Sequence, residues 1–396
     1  MISPTPILVA GAGIAGLAAA IGLARKGFAV KLLERRTELP EAGAGVQIGP
    51  NGVKALACLG LRDAVEAIAF RPEGLTLRHG ISGQVLTRLP WGAAAHKRYG
   101  APFLTLLRAE LQAALRAAAK ATQGIELVLG FEVGAVAVEA GSVSVRSDGA
   151  RTADSAALIG ADGVWSRVRG EVCRVQPAPA GYLAYRAVIP RGELAGPFDA
   201  PDVGLWIGRD AHVVHYPVSG GALLNIVVVV AGSQAAQDWD VPGRLTQIAP
   251  FLSKWPQNLA DLLARAPGWR CWPLYDLPDL PQWSRGPVAL IGDAAHPVLP
   301  FFAQGAAMAL EDAAVLAECA SAAGGALPQA FAQFARLRRP RVQRLSAASR
   351  RNGRTYHLSG AGAAIRDALL RATPPAILMR QFDWLYGFDP AAAPKP

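Results

Sequence analysis

Cysteine is scarce in this sequence, and its distribution excludes several classes of protein. The four cysteines lie far apart and form no C-x-x-C pair, which argues against a zinc knuckle, a dithiol redox centre or a disulfide framework. We therefore expect four reduced thiols in a cytoplasmic protein, at Cys58, Cys173, Cys271 and Cys319.

Long hydrophobic runs are also lacking. Residues 2–24 carry no charge, but glycines at fixed spacing interrupt them and no basic region precedes them, unlike in a signal peptide. The run Leu223–Ala231 is interrupted by Asn225 and is too short to cross a bilayer. We therefore expect a soluble protein with no membrane partner.

Apolar and basic residues are abundant. Of the 396 residues, 52% are hydrophobic and 18% are charged, which excludes intrinsic disorder, and the 42 glycines have no period of three, which excludes collagen. The formal net charge is +10, carried mostly by arginine. Such a charge suits anionic small molecules, phosphates or nucleic acid and does not choose among them.

The first 35 residues predict a β-α-β unit. A strand over 7–10 is of the buried parallel type, a helix over 14–26 ends at Gly27, and a second strand covers 28–33. Further along, the sequence predicts a helix over 104–123, paired strands over 125–147, a strand over 156–160, an antiparallel sheet over 180–275, a buried strand over 288–291, a helix over 305–320 and more helices to the end.

A dinucleotide-binding motif lies inside the β-α-β unit. Gly11, Gly13 and Gly16 match G-x-G-x-x-G directly after a strand and at the start of a helix. They permit a tight turn, close approach of the backbone to a pyrophosphate, and close packing of helix and strand. Glu34 ends the second strand, where a carboxylate can bind both ribose hydroxyls. The motif therefore predicts an adenosine diphosphate with an unphosphorylated ribose.

Two later stretches distinguish FAD from NAD. Asp162 follows a strand and precedes two arginines, and Asp293 follows another buried strand. A carboxylate in such a position can accept hydrogen bonds from a polyol. The helix that follows Gln304, starting at Gly305 and Ala306, can direct its N–H groups at a pyrimidine-like carbonyl.

Together these three stretches resemble the signature of the single-component FAD-dependent aromatic hydroxylases, the flavoprotein monooxygenases of the para-hydroxybenzoate hydroxylase type. The pattern is most similar to that of salicylate, 3-hydroxybenzoate and 6-hydroxynicotinate hydroxylases, and it extends from about residue 5 to residue 357. The resemblance implies an α/β fold, in which a Rossmann-like FAD-binding domain carries an inserted antiparallel β-sheet substrate lobe and C-terminal helices. The expected boundaries are 1–75, 101–178 and 276–340 for the FAD-binding domain, 76–100 and 179–275 for the lobe, and 341–396 for the C-terminal helices and tail.

The resemblance also implies a non-covalent FAD site. Gln47 lies where some relatives carry a histidine proposed as a base, so that role is lost here. For three residues a simpler interpretation stays open: Arg108 as a surface charge, Asp162 as a helix N-cap and Asp293 as a cap or turn residue. The implied FAD-binding residues are Gly11, Gly13, Ala15, Gly16, Glu34, Arg35, Gln47, Arg108, Leu129, Asp162, Asp293, Gly305 and Ala306.

The activity implied by the resemblance uses NADH or NADPH as co-substrate, together with O2. The nicotinamide reduces the flavin, O2 adds to give a C4a-hydroperoxide, and a small phenolic or N-heteroaromatic substrate attacks the distal oxygen. The protein binds and orients the substrate and excludes water. Two alternatives stay open: a flavoenzyme of the same fold with other chemistry (an epoxidase, a reductase or a halogenase) and a non-catalytic nucleotide-binding protein.

A base that ionises a phenol speeds such an attack, and the predicted lobe offers His212, His215 and Tyr216. The two histidines have odd spacing, so a strand turns them to opposite faces and only one can face the substrate. We favour His215 and Tyr216 as the catalytic pair, with an ordinary half-buried strand histidine as the alternative. Arg186 is either a clamp for a substrate carboxylate or an exposed side chain.

Eight arginines within residues 336–354 raise nucleic-acid binding as a further alternative. Neither a recognition fold nor interleaved aromatic residues accompany them, so we expect no nucleic-acid partner and interpret the segment as a solvated helix or a dimer contact. His212 and His215 lack a third ligand, so no metal site is predicted, and the absence of G-x-S-x-G argues against a hydrolase. We expect a monomer or a homodimer.

Overall fold

The computed structural model describes residues 5–38, 44–139, 141–232 and 241–392. The β-strands are β1 Ile7–Ala10, β2 Val30–Leu33, β3 Gly45–Ile48, β4 Gly74–His79, β5 Val85–Pro90, β6 Leu104–Leu107, β7 Ile125–Val128, β8 Val133–Glu139, β9 Ser142–Ser147, β10 Thr152–Ser155, β11 Leu158–Gly160, β12 Ala178–Pro190, β13 Val203–Gly208, β14 Ala211–Val218, β15 Leu223–Ala231, β16 Val241–Gly243, β17 Trp269–Asp276, β18 Ser284–Arg285 and β19 Val288–Leu290. The α-helices are α1 Ile14–Arg25, α2 Pro50–Cys58, α3 Arg62–Glu66, α4 Ala93–Tyr99, α5 Arg108–Ala121, α6 Arg169–Val172, α7 Leu245–Leu252, α8 Gln257–Ala264, α9 Gly305–Ala322, α10 Leu327–Tyr356, α11 Gly360–Ala372, α12 Pro375–Arg380 and α13 Asp383–Tyr386.

Short apolar strands build a largely parallel sheet. In the described part of the chain, six strands lie in the order β18-β19-β11-β1-β2-β7, and only the β18–β19 pair is antiparallel. All four residues of β1 are buried, as expected where both faces of a parallel sheet are covered. The carboxyl ends of parallel strands meet at one edge of the sheet, so the residues that follow β1, β2, β7, β11 and β19 are neighbours there.

A second sheet contains eight of the described strands, in the order β16-β17-β12-β15-β14-β13-β4-β5. The antiparallel arrangement predicted for this region holds except between β13 and β4, which are parallel. The sequence analysis missed α7 and α8, which pack on one face of this sheet through Ile248, Leu252 and Leu259. The two large sheets are the physical basis for the predicted two-part division, whose boundaries stay a prediction.

Strand β14 shows how the eight-stranded sheet is divided into two faces. Val213 lies in the apolar cluster with α7 and α8, and we call this side the far face. Tyr216 instead packs in the large core that includes the six-stranded sheet. Because side chains alternate along a strand, His212, Val214 and Tyr216 share this second side, which we call the near face.

The prediction of a helix over 104–123 is wrong for its first four residues. Leu104–Leu107 forms the strand β6, which pairs antiparallel with β3 so that Thr105 lies opposite Gln47, and α5 begins only at Arg108. A run of four largely apolar residues suits a buried strand as well as a helix, and pairing with a distant segment decides between them.

The arginine-rich segment forms most of α10, and only one side of this helix is solvated. Arg338 is 1% exposed and donates hydrogen bonds to Glu311 and Asp312. Arg350 forms an ion pair with Asp276, at 2.6 Å between Nε and Oδ2. The expectation of a solvated helix is therefore wrong for these arginines, because acidic partners inside the protein take up their charge. No helix among the described residues is long and apolar enough to cross a membrane.

Candidate active site

The glycine motif forms the turn between β1 and α1. Gly11 has a φ of 97°, in the left-handed region that favours glycine. A Cβ on Gly16 would lie 1.8 Å from the carbonyl oxygen of Gly11, so only glycine lets α1 begin this close to β1. A Cβ on Gly13 would meet no heavy atom within 4 Å, so the backbone borders open space there. The turn has the free helix N-terminus and the room that a pyrophosphate requires.

Glu34 lies directly after β2 and is buried. Its Oε2 accepts a hydrogen bond from the backbone N–H of Ala12 at 2.8 Å, and its Oε1 accepts one from Arg36 at 3.0 Å. An ionised carboxylate has about four acceptor positions, so capacity remains for ribose hydroxyls. Glu34 thus holds the glycine turn in place and can still bind a nucleotide.

The predicted adenine-side residues lie beside Glu34. Leu129 follows β7, whose last residue, Val128, accepts a hydrogen bond through its carbonyl from the N–H of Glu34 at 2.9 Å. Leu129 is exposed, as is Arg35, the residue after Glu34. The structure therefore brings both residues to the carboxyl edge of the six-stranded sheet, next to the carboxylate.

Asp162 lies after β11, where its carboxylate caps the following turn. Its Oδ1 accepts from the Ser166 hydroxyl at 2.5 Å and its Oδ2 from the Arg167 backbone N–H at 2.7 Å. Burial raises the pKa of this carboxyl, and these hydrogen bonds oppose the rise. The capping interpretation therefore accounts for the contacts of Asp162, and its contact with FAD stays a prediction.

Arg169 was not singled out from the sequence, although it joins two parts of the site. This buried guanidinium donates to the backbone carbonyls of Val164, Val175 and Ala294, at 2.7, 3.0 and 3.0 Å. The bond to Ala294 fixes the loop after β11 against the turn after β19. Its signal in the sequence is weak, since arginine near a motif is most often a surface residue.

Asp293 lies in the 3-10 turn Gly292–Ala294 that follows β19. Burial raises its pKa, whereas the positive charges of Arg108 and His296 act in the opposite direction. Among the described residues, no protein group donates a hydrogen bond to this carboxylate. Asp293 therefore does not act as a cap, and it has room for a hydroxyl donor from outside the protein.

The starts of two helices complete this edge. Arg108 is the first residue of α5, and its charge reaches Asp293, so both residues border the same cleft rather than opposite surfaces. Gly305 is the first residue of α9, which has no side-chain cap, and a Cβ there would meet no heavy atom within 4 Å. Ala15 lies against the turn Gly292–Ala294, since a Cβ on Gly292 would lie 2.8 Å from the Cβ of Ala15. Ala306 follows Gly305 in α9.

These residues fit the ADP and ribityl parts of FAD. An open glycine turn suits the pyrophosphate, Glu34 suits the ribose, and the unpartnered carboxylate of Asp293 suits a polyol chain. The uncapped start of α9 suits an electron-rich ring edge, because a helix N-terminus carries partial positive charge. The resemblance also implies that the segment 43–51 runs near the flavin ring, and its first residue, Gly43, lies outside the described residues.

The near face of the eight-stranded sheet approaches this cleft at β3. Gly45 donates its N–H to Oδ1 of Asn225 at 2.6 Å, and a Cβ on Gly45 would lie 2.7 Å from the ring of Tyr216. Burial raises the pKa of Tyr216, whereas the charge of Arg186 and a hydrogen bond with Gln47 oppose that rise. Gln47, Tyr216 and Asn225 therefore meet where the two large sheets join.

The two strand histidines do lie on opposite faces. His215 is on the far face, where its Nε2 accepts a hydrogen bond from the indole N–H of Trp206 at 3.1 Å and its ring packs against Phe198. His212 is on the near face, with its ring 5.4 Å from that of Phe301. Burial lowers the pKa of His215 to about 3. The structure thus brings Tyr216 and His212 to the cleft side and leaves His215 in the core behind the sheet.

Two near-face residues were missed by the sequence analysis. Asn225 is fully buried, and its Nδ2 is one of the side-chain nitrogens without a hydrogen-bond partner among the described residues. The signal was a single asparagine in the apolar run of β15. His357 follows α10, and its Nε2 lies 2.9 Å from Nδ1 of His212. No local pattern marks it, because the contact joins residues that are 145 positions apart.

Known proteins resemble this chain over almost its whole length. The FAD binding domain family matches residues 4–349. A 3-hydroxybenzoate 6-hydroxylase of Polaromonas naphthalenivorans is 34% identical over 384 residues, which cover 97% of this chain and 96% of that protein. A 6-hydroxynicotinate 3-monooxygenase of Pseudomonas fluorescens is 36% identical over 353 residues, which cover 86% of this chain and 90% of that protein.

A solved salicylate hydroxylase in complex with its substrate matches with a TM-score of 0.82 and 26% identity, over 100% of this chain and 99% of that one. When bound, FAD supplies the redox chemistry with O2, and the protein holds and orients the reactants. The chain belongs to the FAD binding domain family and is an FAD-dependent monooxygenase of the aromatic hydroxylase type, for which NAD(P)H is the typical electron donor.

Proposed function

We propose that this enzyme hydroxylates a small phenolic or N-heteroaromatic acid that binds on the near face of the eight-stranded sheet. One observation carries the proposal: polar atoms on that face lack protein partners. Among the described residues, neither Nε2 of His212 nor Nδ2 of Asn225 is hydrogen-bonded to the protein. The buried Nδ2 of Asn225 would normally have a hydrogen-bond partner, so these two nitrogens suit a polar ligand.

His212 is the residue that we propose as the base. Its Nδ1 is taken by His357, so only Nε2 is free to accept the proton of a ring hydroxyl. Tyr216 is proposed to orient the ring, together with Asn225 and Gln47. His215 has no part in this proposal, because Trp206 already uses its Nε2 on the far face.

The proposed substrate class follows from two observations. The names of the two relatives refer to 3-hydroxybenzoate and 6-hydroxynicotinate, which each combine a ring hydroxyl with a carboxylate. On this chain, the near face carries Arg186, whose guanidinium lies 4.9 Å from the ring centre of Trp272. A planar guanidinium matches the geometry of a carboxylate with two parallel hydrogen bonds, so Arg186 is the proposed clamp.

Apolar side chains are proposed to exclude water from the reaction. Leu299 and Phe301 pack against Ala184 and Val229 of the sheet. Such a wall would keep water away from the space where the substrate and the flavin react. The same walls leave few polar contacts, which is consistent with a small, mostly apolar ring.

The proposed FAD-binding residues are those assigned from the sequence: Gly11, Gly13, Ala15, Gly16, Glu34, Arg35, Gln47, Arg108, Leu129, Asp162, Asp293, Gly305 and Ala306. Their support is the convergence at one sheet edge described above, above all the unpartnered carboxylate of Asp293.

A substrate panel tests the proposed function. The holoenzyme is mixed with hydroxybenzoates, hydroxypyridine carboxylates and decarboxylated analogues, under 18O-labelled O2, and we measure NADH or NADPH oxidation, peroxide and product mass. We expect one hydroxy acid of the panel to be converted to a product that contains one labelled oxygen atom. Its decarboxylated analogue should be hydroxylated much more slowly.

Two variants sharpen this test. Replacing His212 with Gln should lower the hydroxylation rate about 100-fold or more while the ring still binds, as for loss of a general base. Tyr216→Phe should instead slow hydroxylation several-fold and raise peroxide release. If the enzyme hydroxylates neutral analogues faster than carboxylic acids, the proposed substrate class is wrong. If His212→Gln hydroxylates as fast as the unaltered enzyme, His212 is not the base.

A further inference from the structure

The near face contains a pair of buried histidines joined ring to ring. Nδ1 of His212, on β14, lies 2.9 Å from Nε2 of His357, which is the C-cap residue of α10. A hydrogen bond between two imidazoles requires that one nitrogen carries the proton and the other accepts it. The tautomer of His212 is therefore coupled to that of His357.

Each histidine of the pair has a second ring nitrogen, which we call its outer nitrogen, and a proton would enter or leave the pair through these two atoms. Among the described residues, neither Nε2 of His212 nor Nδ1 of His357 has a hydrogen bond to another protein group. His212 is 2% exposed, whereas His357 is only partly buried. The pair thus has one free nitrogen inside the protein and one toward its surface.

In the described part of the chain, no carboxylate is hydrogen-bonded to the ring of His212, the inner ring of the pair. The rings of Phe301 and Tyr356 lie 5.4 and 5.6 Å from that of His212, and Tyr182 lies 5.3 Å from that of His357. The charged groups act on the outer ring only: Asp210, in the turn between β13 and β14, raises the pKa of His357, and Arg366, on α11, lowers it.

We propose that His357 is a positioning residue that holds His212 as the Nδ1–H tautomer, and that the two histidines pass the proton of the substrate's ring hydroxyl toward the Asp210 turn. This inference rests on the proposed function, in which a ring hydroxyl lies at Nε2 of His212. The chemical class of the ligand is therefore a phenol or hydroxypyridine.

The proton balance of the relay is complete. The O–H bond of the substrate breaks as its proton binds Nε2 of His212, and the electron pair stays on the ring oxygen. The Nδ1–H bond of His212 then breaks as that proton binds Nε2 of His357. Finally, Nδ1 of His357 releases its proton to water or to Asp210. Each histidine ends neutral, with its proton on the other nitrogen.

The environment supports transfer in this direction. Burial disfavours a charged imidazole, and it lowers the pKa of both rings, that of His357 to about 4. His212 is the more deeply buried of the two, and Asp210 acts on His357. A proton held only by His212 would leave a cation in a dry, aromatic environment. Passing it to His357 moves the charge toward water and a carboxylate.

Histidine NMR tests the tautomer independently of turnover. The chain has six histidines, so 15N-histidine labelling of the holoenzyme gives few signals, and His212→Gln identifies that of His212. We expect a protonated Nδ1 and an unprotonated Nε2 on His212. His357→Leu should produce a mixture of tautomers, whereas His357→Gln, whose side-chain oxygen can still accept, should keep the native one.

A chromophoric ligand tests the relay. We would titrate bound 3-hydroxy-4-nitrobenzoate, whose phenolate is coloured, and follow single-turnover hydroxylation of the best panel substrate. We expect His357→Leu to raise the apparent pKa of the bound probe by about one unit and to slow hydroxylation about 10- to 100-fold. His357→Gln should restore the tautomer but not the rate. His96→Gln, on the exposed face of α4, is the matched control and should change neither.

The outcomes separate this inference from the proposed function. An Nε2-protonated His212 in the unaltered enzyme, or a tautomer unmoved by His357→Leu, overturns the role of His357 whatever the substrate. A native tautomer in an enzyme that hydroxylates no ring on the panel contradicts the proposed function instead. If His357→Gln is as fast as the unaltered enzyme, the relay is overturned and the positioning role stands.

Discussion

The protein contains two sets of buried polar groups that differ in how completely the protein satisfies them. The first, which we call the arginine cluster, consists of His296, Glu311, Asp312, Arg338 and Arg341. The second, which we call the open set, consists of His212, Asn225 and Asp293. In the arginine cluster both carboxylates are bonded to arginine, as by Nε of Arg338 to Asp312 at 2.8 Å. Each member of the open set keeps a polar atom without a protein partner among the described residues.

This difference indicates what each set does. Buried charges are retained only when they are paired, because desolvation otherwise costs several kcal/mol. The arginine cluster therefore maintains the frame: Asp312 also accepts the N–H of Gly292 at 3.0 Å and holds His296 at 2.5 Å. Gly292 precedes Asp293, so the arginine cluster positions Asp293, one member of the open set. Groups left open inside a stable frame are suited to a cofactor and a substrate.

The largest effect is expected from breaking the arginine cluster. Arg338→Met would leave Glu311 and Asp312 buried with reduced pairing, which typically lowers the free energy of unfolding by about 3–5 kcal/mol. Urea unfolding of the holoenzyme measures this loss. FAD retention should fall with it, because the turn at Asp293 loses its support.

Arg344→Met is the matched control on the same helix. Arg344 is exposed, with its guanidinium 4.2 Å from the ring centre of Trp384, and an exposed cation–π contact contributes about 0.5–1 kcal/mol. Equal losses in the two variants would contradict the assignment of the frame to the buried cluster.

A smaller effect, on binding rather than folding, is expected from the open set. Asp293→Asn removes an acceptor that is hydrogen-bonded to no donor among the described residues, so the apoprotein should lose much less stability than Arg338→Met does. The dissociation constant of FAD should rise about 10- to 100-fold, as for a lost hydrogen bond to a charged group. Flavin fluorescence during titration measures it.

Glu34→Ala makes the contrast sharper. Glu34 both faces the ribose position and accepts the N–H of Ala12, so this variant should weaken FAD binding and loosen the glycine turn together. Full flavin occupancy in Glu34→Ala would refute the ribose assignment, and a strongly destabilised Asp293→Asn apoprotein would show that Asp293 belongs to the frame.

The sequence was sufficient where structure is local. The turn from Gly11 to Gly16 follows from the spacing of glycines, because Gly11 needs a positive φ and a Cβ on Gly16 would collide with the carbonyl oxygen of Gly11. It was insufficient at β6, where pairing with β3 overrides a helix-like run. It also missed α7 and α8, which are short and flanked or interrupted by Pro250 and Pro256.

In the candidate site, too, local sequence patterns predict only part of the arrangement. Alternation predicts that His212 and His215 lie on opposite faces, but it does not say which face is which. That depends on Trp206 and Phe198 on one side and on Phe301, which comes from a distant part of the chain, on the other. For the same reason His357 has no signature that a reader of the sequence could find.

The smallest expected effect is that of pH on the free energy of unfolding, in which buried histidines and the arginine cluster should act in different pH ranges. Burial lowers the pKa of His357 from 6.5 to about 4, and that of His212 also lies below 6.5. Between these values the unfolded chain binds protons that the folded protein does not, so the free energy of unfolding should fall as the pH drops from 6.5 toward 4. The slope is at most about 1.4 kcal/mol per pH unit for each histidine. Asp312, whose pKa lies below its ordinary 3.8, should lose its contribution only at lower pH.

Urea unfolding of the unaltered enzyme and of His357→Gln, from about pH 7 to about pH 4.5, measures this slope. The variant lacks one of the three buried imidazoles whose pKa is lowered, so its stability should depend less steeply on pH within that window. Parallel curves for the two proteins would mean that His357 titrates alike in the folded and unfolded states. Any fall in stability within that window would then come from the other buried histidines whose pKa is lowered, His212 and His215, and not from His357.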